Sequence, residues 1–161
     1  LKKNGKMIPE SGTIKISLLG NDEEAFNTIS VANVSGFDLS EFNSISQSKH
    51  AHFLKKKPTL LSNNENAFSI NLYNEENLVK EEKIIELKVN KEGLCLGIIQ
   101  WMKIQLYKDI EYENSPSGYL DSSTGWPTPI YLFDKAVSVK KGDVLKIRAF
   151  LGMDNLWFFK E

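Results

Sequence analysis

Two histidines one residue apart, His50 and His52, form the first pair of side chains in this sequence that could bind a ligand together. On a β-strand this spacing would place both imidazoles on one face, where they could bind a metal ion together. No cysteine or carboxylate nearby completes the set of ligands, and the surrounding residues do not alternate as a strand would. The pattern therefore favours a solvated loop and predicts no metal site.

Paired carboxylates that could serve general acid–base chemistry occur at Glu75-Glu76 and Glu81-Glu82. Both pairs lie in a polar stretch without the apolar neighbours that would raise a carboxyl pKa. We therefore interpret them as solvated charges. The basic run Lys55-Lys56-Lys57 is likewise predicted to be an exposed loop and not a phosphate site.

Nucleophilic catalysis and nucleotide binding both lack their usual motifs. No Gly-x-Ser-x-Gly sequence is present, and no Gly-x-Gly sequence follows a strand pattern. Cys95, the only cysteine, lies in an apolar run, which predicts an inert core residue and excludes a disulfide within the chain. The sequence thus predicts no catalytic and no cofactor-binding residue.

Aromatic side chains are numerous and include Trp101, Trp126 and Trp157. They could line a carbohydrate-binding face, although aromatic residues at these spacings more often belong to the core. An alternative function therefore stays open: a free-standing β-sandwich that binds carbohydrate or peptide through exposed aromatics.

Alternation of apolar and polar residues indicates a β-rich domain. It occurs in residues 13–18, 68–72, 85–89 and 144–150, with turn-forming sequences between these runs. The pattern predicts a mainly β fold, an antiparallel barrel or sandwich, with a short, partly helical, arm-like insertion. Its apolar faces predict a core that contains Ile14, Ile16, Leu18, Ile85, Leu87, Ile98, Trp101, Ile104, Ile130, Leu132, Leu145 and Ile147.

Three segments depart from simple alternation. Residues 94–107 are strongly apolar and predict either one bent strand buried on both faces or two strands that meet near Gly97. Ser40 is predicted to cap a short helix that runs through Ile45. Residues 47–66 are polar and predict an excursion from the β core.

Bulk composition fits a single globular domain, with 161 residues, 41% hydrophobic and 25% charged. The net charge of −1 and the single arginine, Arg148, argue against binding to nucleic acid or an anionic membrane. No signal peptide opens the chain, which predicts a cytoplasmic protein. Abundant lysine and asparagine beside one arginine indicate an AT-rich bacterial genome. The start at Leu1 and the aromatic final residues predict a fragment of a longer protein.

Four stretches, in order, resemble the second half of the protein arginine methyltransferases. They are similar to that family's passages LKPGGxxIP, NVYGFDMS, THWKQTVFLL and LTVKKGDxI. The matching segments here are LKKNGKMIP (residues 1–9), NVSGFDLS (33–40), TGWPTPIYLF (124–133) and VSVKKGDVL (137–145).

The resemblance implies a β-barrel over residues 1–161 that accompanies a domain binding S-adenosylmethionine in the whole enzyme. Residues 1–12 would be the tail end of that cofactor-binding domain. An arm at about residues 42–66 would dock on the second subunit of a homodimer. The family's cofactor loop and substrate glutamates are not in this sequence, so the chain alone is expected to bind no cofactor and to be inactive.

The resemblance also implies a substrate-cleft loop at Thr124, Gly125 and Trp126. Gly125 stands where the family has a histidine, and glycine has no side chain that could orient a carboxylate. The methyl acceptor is therefore left open between arginine and another nucleophile on a protein or small molecule.

Overall fold

A computed structural model describes residues 5–21, 31–46, 48–52, 56–73, 80–117 and 126–161. Along these residues the elements are β1 (Ser11–Gly20), β2 (Asn33–Val34), β3 (Phe37–Asp38), a 3-10 helix (Ser40–Ile45), β4 (Lys49–His52), β5 (Glu65–Asn71), β6 (Glu81–Lys88), β7 (Gly93–Tyr107), β8 (Ile110–Glu113), β9 (Thr128–Val139), β10 (Val144–Leu151) and β11 (Leu156–Lys160).

Two antiparallel sheets make up the body of the fold. The larger sheet has the order β4-β9-β7-β1-β5, and β8 pairs with β7 beside it. The smaller sheet has the order β11-β10-β6, and β2 and β3 form a separate hairpin. The prediction of a mainly β, antiparallel fold is confirmed.

The main core lies between the two sheets, and alternation explains which residues enter it. In β1, Ile14, Ile16 and Leu18 face the smaller sheet, while Lys15 and Ser17 face the other way. All twelve residues predicted for the core are buried or half-buried. The facing predicted for β1, β6 and β10 is therefore confirmed, whereas Trp101, Ile130 and Leu132 pack outside the main core in a second apolar cluster.

Residues 94–107 lie in one strand, β7, which confirms the first of the two alternatives. The strand is buried on both faces from Cys95 to Trp101. Its register with β9 shifts between Cys95 and Gly97, so the chain bulges there without a break. The outward face of this strand contributes to a second apolar cluster that contains Leu19, Ile99, Trp101 and Ile130.

The polar excursion predicted for residues 47–66 is only partly observed. Lys49–His52 forms β4, an edge strand paired with β9, so the predicted loop at the two histidines is wrong. An edge strand has one neighbour and little buried surface, and therefore needs no apolar alternation. Leu61 is 1% exposed, and its N–H donates to the Leu18 carbonyl oxygen at 3.0 Å. Gln47 and residues 53–55 lie outside the described residues.

A short helix forms where it was predicted, over Ser40–Ile45, but as a 3-10 helix. Leu39 is at the N-cap position and makes no side-chain cap, so the prediction of Ser40 as the cap is wrong. The Ser40 N–H instead donates to Asp38 Oδ1 at 3.0 Å, and this bond lowers the pKa of Asp38. No helix in the described part of the chain has the length and apolar character needed to cross a bilayer.

Candidate functional site

Trp126 lies two residues before β9 begins, at the surface. Its side chain is 42% exposed. Its ring meets the ring of Tyr112 edge to face, with centroids 5.6 Å apart and planes at 83°. Thr124 and Gly125 lie outside the described residues. Of the three predicted cleft residues, the structure therefore places Trp126, beside the end of β8.

A carboxylate that the sequence did not single out, Glu113, ends β8 next to Tyr112. Its Oε1 accepts a hydrogen bond of 2.8 Å from Trp101 Nε1 and one of 3.0 Å from Lys15 Nζ. Lys15 of β1 faces Trp101 of β7 in the sheet register, and β8 returns on β7 to bring Glu113 to both. No local pattern predicts this cluster, because its members are far apart in sequence.

The charge state of Glu113 is set by these neighbours. Partial burial alone would raise its pKa, but the hydrogen bonds from Trp101 and Lys15, with the charges of Lys15 and Lys103, together lower it. The carboxyl is therefore ionised at neutral pH. It can anchor the indole and the ammonium group, but it cannot act as a general acid there.

A polar cleft of about 230 Å³ lies on the same outer face of the larger sheet. It is lined by Lys15, Lys103, Glu111 and four neutral polar side chains. Lys103 Nζ lies 2.8 Å from Glu111 Oε2, and this hydrogen bond raises the pKa of Lys103. The cleft offers hydrogen-bonding groups to a polar ligand. Each of its two ammonium groups forms an ion pair with a carboxylate.

Tyr131 organises a second polar network, inside the fold between β9 and β11. Its hydroxyl lies 2.7 Å from Gln100 Oε1 and 3.1 Å from the Leu156 carbonyl oxygen. Lys49 Nζ donates to the same carbonyl at 3.2 Å. Burial raises the pKa of Tyr131 and lowers that of Lys49. These contacts link β4 and β9 to β11.

Of the two histidines, the structure describes the side chain of His50 only. His50 faces Ile130 across the β4–β9 pair, and its Nε2 is buried without a hydrogen-bond partner among the described residues. In the described ranges, no group of three or more His, Cys, Asp or Glu side chains is arranged to hold a metal ion.

The other candidate groups are structural or exposed. Cys95 is fully buried, as predicted, and burial raises the pKa of its thiol to about 11, so it is not a thiolate nucleophile at neutral pH. Glu81 and Glu82 begin β6, where Glu81 pairs with Lys83 at 2.7 Å and Glu82 with Arg148 at 3.6 Å. Glu75 and Glu76 lie outside the described residues.

No protein-family model and no curated protein sequence matches the chain. Solved structures do match it. The Trypanosoma brucei PRMT1 enzyme–prozyme heterotetrameric complex with AdoHcy is similar over 92% of this chain, with a TM-score of 0.73 and 15% identity. PRMT6 is similar over 95%, with a TM-score of 0.61 and 17% identity. PRMT6-SAH is similar over 99%, with a TM-score of 0.65 and 16% identity.

The similarity extends over nearly all of this chain but only part of each matched protein. The chain covers 49%, 54% and 56% of those three chains, about half of their length. At such low identity the likeness establishes the fold. The resemblance predicted from the four sequence segments is therefore confirmed at the level of the fold: this is the β-domain architecture of the protein arginine methyltransferase structures.

Proposed function

We propose that the chain is the accessory β-domain of an S-adenosylmethionine-dependent methyltransferase similar to the protein arginine methyltransferases. It forms one wall of the substrate cleft, carries the dimerisation arm and is inactive alone. The observation that carries this proposal is the backbone similarity to PRMT structures over 92–99% of the chain.

The described residues do not fit S-adenosylmethionine. Nucleotide cofactors of this class are cradled by a glycine loop between a parallel strand and the start of a helix. The described glycines with left-handed φ, Gly36 and Gly142, lie instead at the β2–β3 hairpin and at the β9–β10 turn. In the proposal, the methyl donor is therefore held by the cofactor-binding domain of the whole enzyme.

Trp126 is the residue that we assign to the cleft wall. It is an exposed aromatic just before the start of β9 and is held by its edge-to-face contact with Tyr112, while Glu113 fixes the neighbouring end of β8 on Trp101. A rigid aromatic surface of this kind positions a substrate without taking part in proton transfer. The acceptor is a protein or small-molecule nucleophile, with arginine as one candidate.

The 3-10 helix, which contains the first residues of the arm predicted at about residues 42–66, and the β2–β3 hairpin before it support the assignment of an arm. Both carry large apolar side chains in solvent, a property typical of interaction surfaces. Asn43 bonds to both the N–H and the C=O of Val31, so hairpin and helix form one unit. The exposed apolar residues of this unit are Val31, Val34, Phe37, Phe42 and Ile45.

Methyl transfer by the whole reading frame tests the proposed function. We expect the complete protein to transfer labelled methyl groups from S-adenosylmethionine and Trp126→Ala to lower this activity about tenfold. Ile84→Ala is the matched control, because Ile84 is similarly exposed, at 48%, on the outer face of the smaller sheet. Absence of methyl transfer, together with oligosaccharide binding at Trp126, would instead favour the alternative of a carbohydrate- or peptide-binding domain.

Light scattering tests the arm. The whole protein is expected to be a homodimer, and this chain alone to be mostly monomeric at low concentration. Phe42→Ser combined with Ile45→Ser should shift the whole protein toward monomer, and Ile84→Ser should not. A whole protein that stays monomeric, or a double variant with unchanged mass and activity, would contradict the assignment.

A further inference from the structure

A groove of about 500 Å³ lies between β9 and β11, beyond the point where Tyr131 and Lys49 join the two sheets. Buried or half-buried apolar side chains line its inner part, and exposed charged side chains line its outer part. The residues used in the argument below are Phe133, Val137, Phe158, Asp134, Lys135 and Lys160.

The groove exists because the middle of β9 is not paired with the strands on either side of it. On one side, the pairing with β4 extends among the described residues as far as Leu132. On the other side, Leu132 lies opposite Gly97 of β7. The next residue of β9 that pairs with β7 is Val137, which lies opposite Cys95. Residues 133–136 consequently have no partner on β7 and bulge out of the sheet.

The opposite wall of the groove is the outer edge of β11. The Glu161 N–H donates to the Lys146 carbonyl at 3.0 Å. With the register of the pair, this bond identifies the residues of β11 whose backbone groups hydrogen-bond to β10. Because such bonds alternate along an antiparallel pair, the backbone groups of Phe158 and Lys160 point away from β10. Among the described residues neither has a backbone partner on that side.

The edge of β11 lacks the usual protection of an exposed strand. Natural sheets guard their edges with proline, bulges, charges or a covering element. The sequence Leu156-Trp157-Phe158-Phe159-Lys160 has strong β propensity, no proline and one charge. Its pairing with β10 is regular from end to end. Backbone donors and acceptors that alternate at strand spacing can form hydrogen bonds with another extended chain.

We propose that this edge binds an extended peptide segment of another protein by strand addition. Apolar side chains at alternate positions of the peptide contact Phe133, Val137 and Phe158. An acidic side chain lies near Lys135 and Lys160, which together outweigh the charge of Asp134. A single segment fits better than a second copy of the domain, because the β9 bulge flanks the edge and keeps a whole domain away from it.

The direct test is titration of this chain with a short synthetic peptide, blocked at both ends, that alternates valine and threonine and carries glutamate at each end. Binding is followed by the amide resonances of the protein. Saturable shifts are expected at Phe158 and Lys160 and along the β9 bulge. The same peptide with N-methyl groups on the amides that face β11 should lose at least about tenfold in affinity.

Substitutions on the protein separate backbone from charge recognition. Lys160→Pro removes an N–H that points to the groove and leaves the β10 pairing intact, so it should weaken binding about tenfold at an unchanged melting temperature. Lys160→Glu tests charge without altering the backbone and should also weaken binding. Lys141→Glu, in the exposed β9–β10 turn, is the matched control and should bind normally.

Three results would overturn the proposal. The first is the absence of saturable binding by the peptide. The second is a set of resonance shifts away from β11 and the β9 bulge, or shifts that persist with the N-methylated peptide. The third is concentration-dependent self-association that Lys160→Glu abolishes, because it would identify a second copy of the chain as the occupant.

Discussion

The indole Nε1 of Trp101 donates a hydrogen bond of 2.8 Å to the carboxylate of Glu113. Trp101 is almost completely buried, so its N–H needs an acceptor, and Glu113 supplies one from the adjacent strand. Lys15 neutralises the same oxygen from β1 at 3.0 Å. Three strands of the larger sheet are therefore joined by one carboxylate.

Glu113→Gln is expected to lower stability at pH 7 by about 1 to 2 kcal/mol, because it removes a charged acceptor from a partly buried donor. The pKa of Glu113 in the folded state lies below its ordinary value of 4.5. The contribution of the charge is therefore fully present above pH 4.5 and is lost as pH falls through the lower folded value. Urea unfolding at several pH values should show the gap between wild type and variant closing in acid. Glu86→Gln, at an exposed pair 3.6 Å from Lys146, should change stability little at any pH, and an equal loss there would contradict the prediction.

Gly97→Ala is expected to destabilise the fold by about 2 to 4 kcal/mol. A Cβ atom at Gly97 would overlap the backbone carbonyl of Tyr131 on β9, which cannot move without disturbing the sheet. Gly12→Ala is the matched control, since a Cβ at Gly12 meets nothing within 4 Å. Thermal unfolding of both variants makes the comparison, and equal stability of the two would refute the close approach of β7 and β9.

Leu61→Ala is expected to cost about 2 to 5 kcal/mol, because Leu61 lies in the main core. Ile45→Ala, in the same predicted segment of residues 42–66 but 79% exposed, should change the stability of the isolated chain by less than about 0.5 kcal/mol. Chemical unfolding of both variants distinguishes the core part of residues 42–66 from the exposed part. Similar losses in the two variants would mean that the whole segment packs on the domain.

The isolated chain is expected to show no measurable binding of S-adenosylmethionine. Its described residues form no phosphate- or ribose-binding loop, and its antiparallel sheets offer no helix start of the required kind. Calorimetric titration is the measurement. A dissociation constant of about 10 μM or tighter, about −7 kcal/mol, would show that the chain holds a cofactor site of its own.

Local alternation identified core residues whose burial depends only on which face of a strand they occupy. Ile14, Ile16 and Leu18 of β1 and Ile147 of β10 could be assigned to the core because every second side chain of a strand shares a face. The β9–β10 turn could also be predicted from the sequence, since Gly142 has a left-handed φ of 99° that suits glycine.

The candidate site was less predictable than the core. Trp126 was identified through a family resemblance, and no periodicity distinguished it from the other two tryptophans. No sequence pattern predicted the role of Glu113, because an acidic residue at the end of a strand cannot be distinguished by sequence from a solvated charge. Only the return of β8 on β7 brings it to Trp101 and makes it a partly buried acceptor.

The fold class, the short helix and the inward faces of β1, β6 and β10 could be predicted from the amino-acid pattern alone, because these follow from periods of a few residues. Contacts between distant segments depend on the tertiary structure. It made Lys49–His52 a strand by giving it β9 as a partner, and it buried Leu61 under β1. It also left the edge of β11 open beside the bulge of β9. Strand pairing depends on which backbone lies alongside, and a local pattern of side chains does not encode that neighbour.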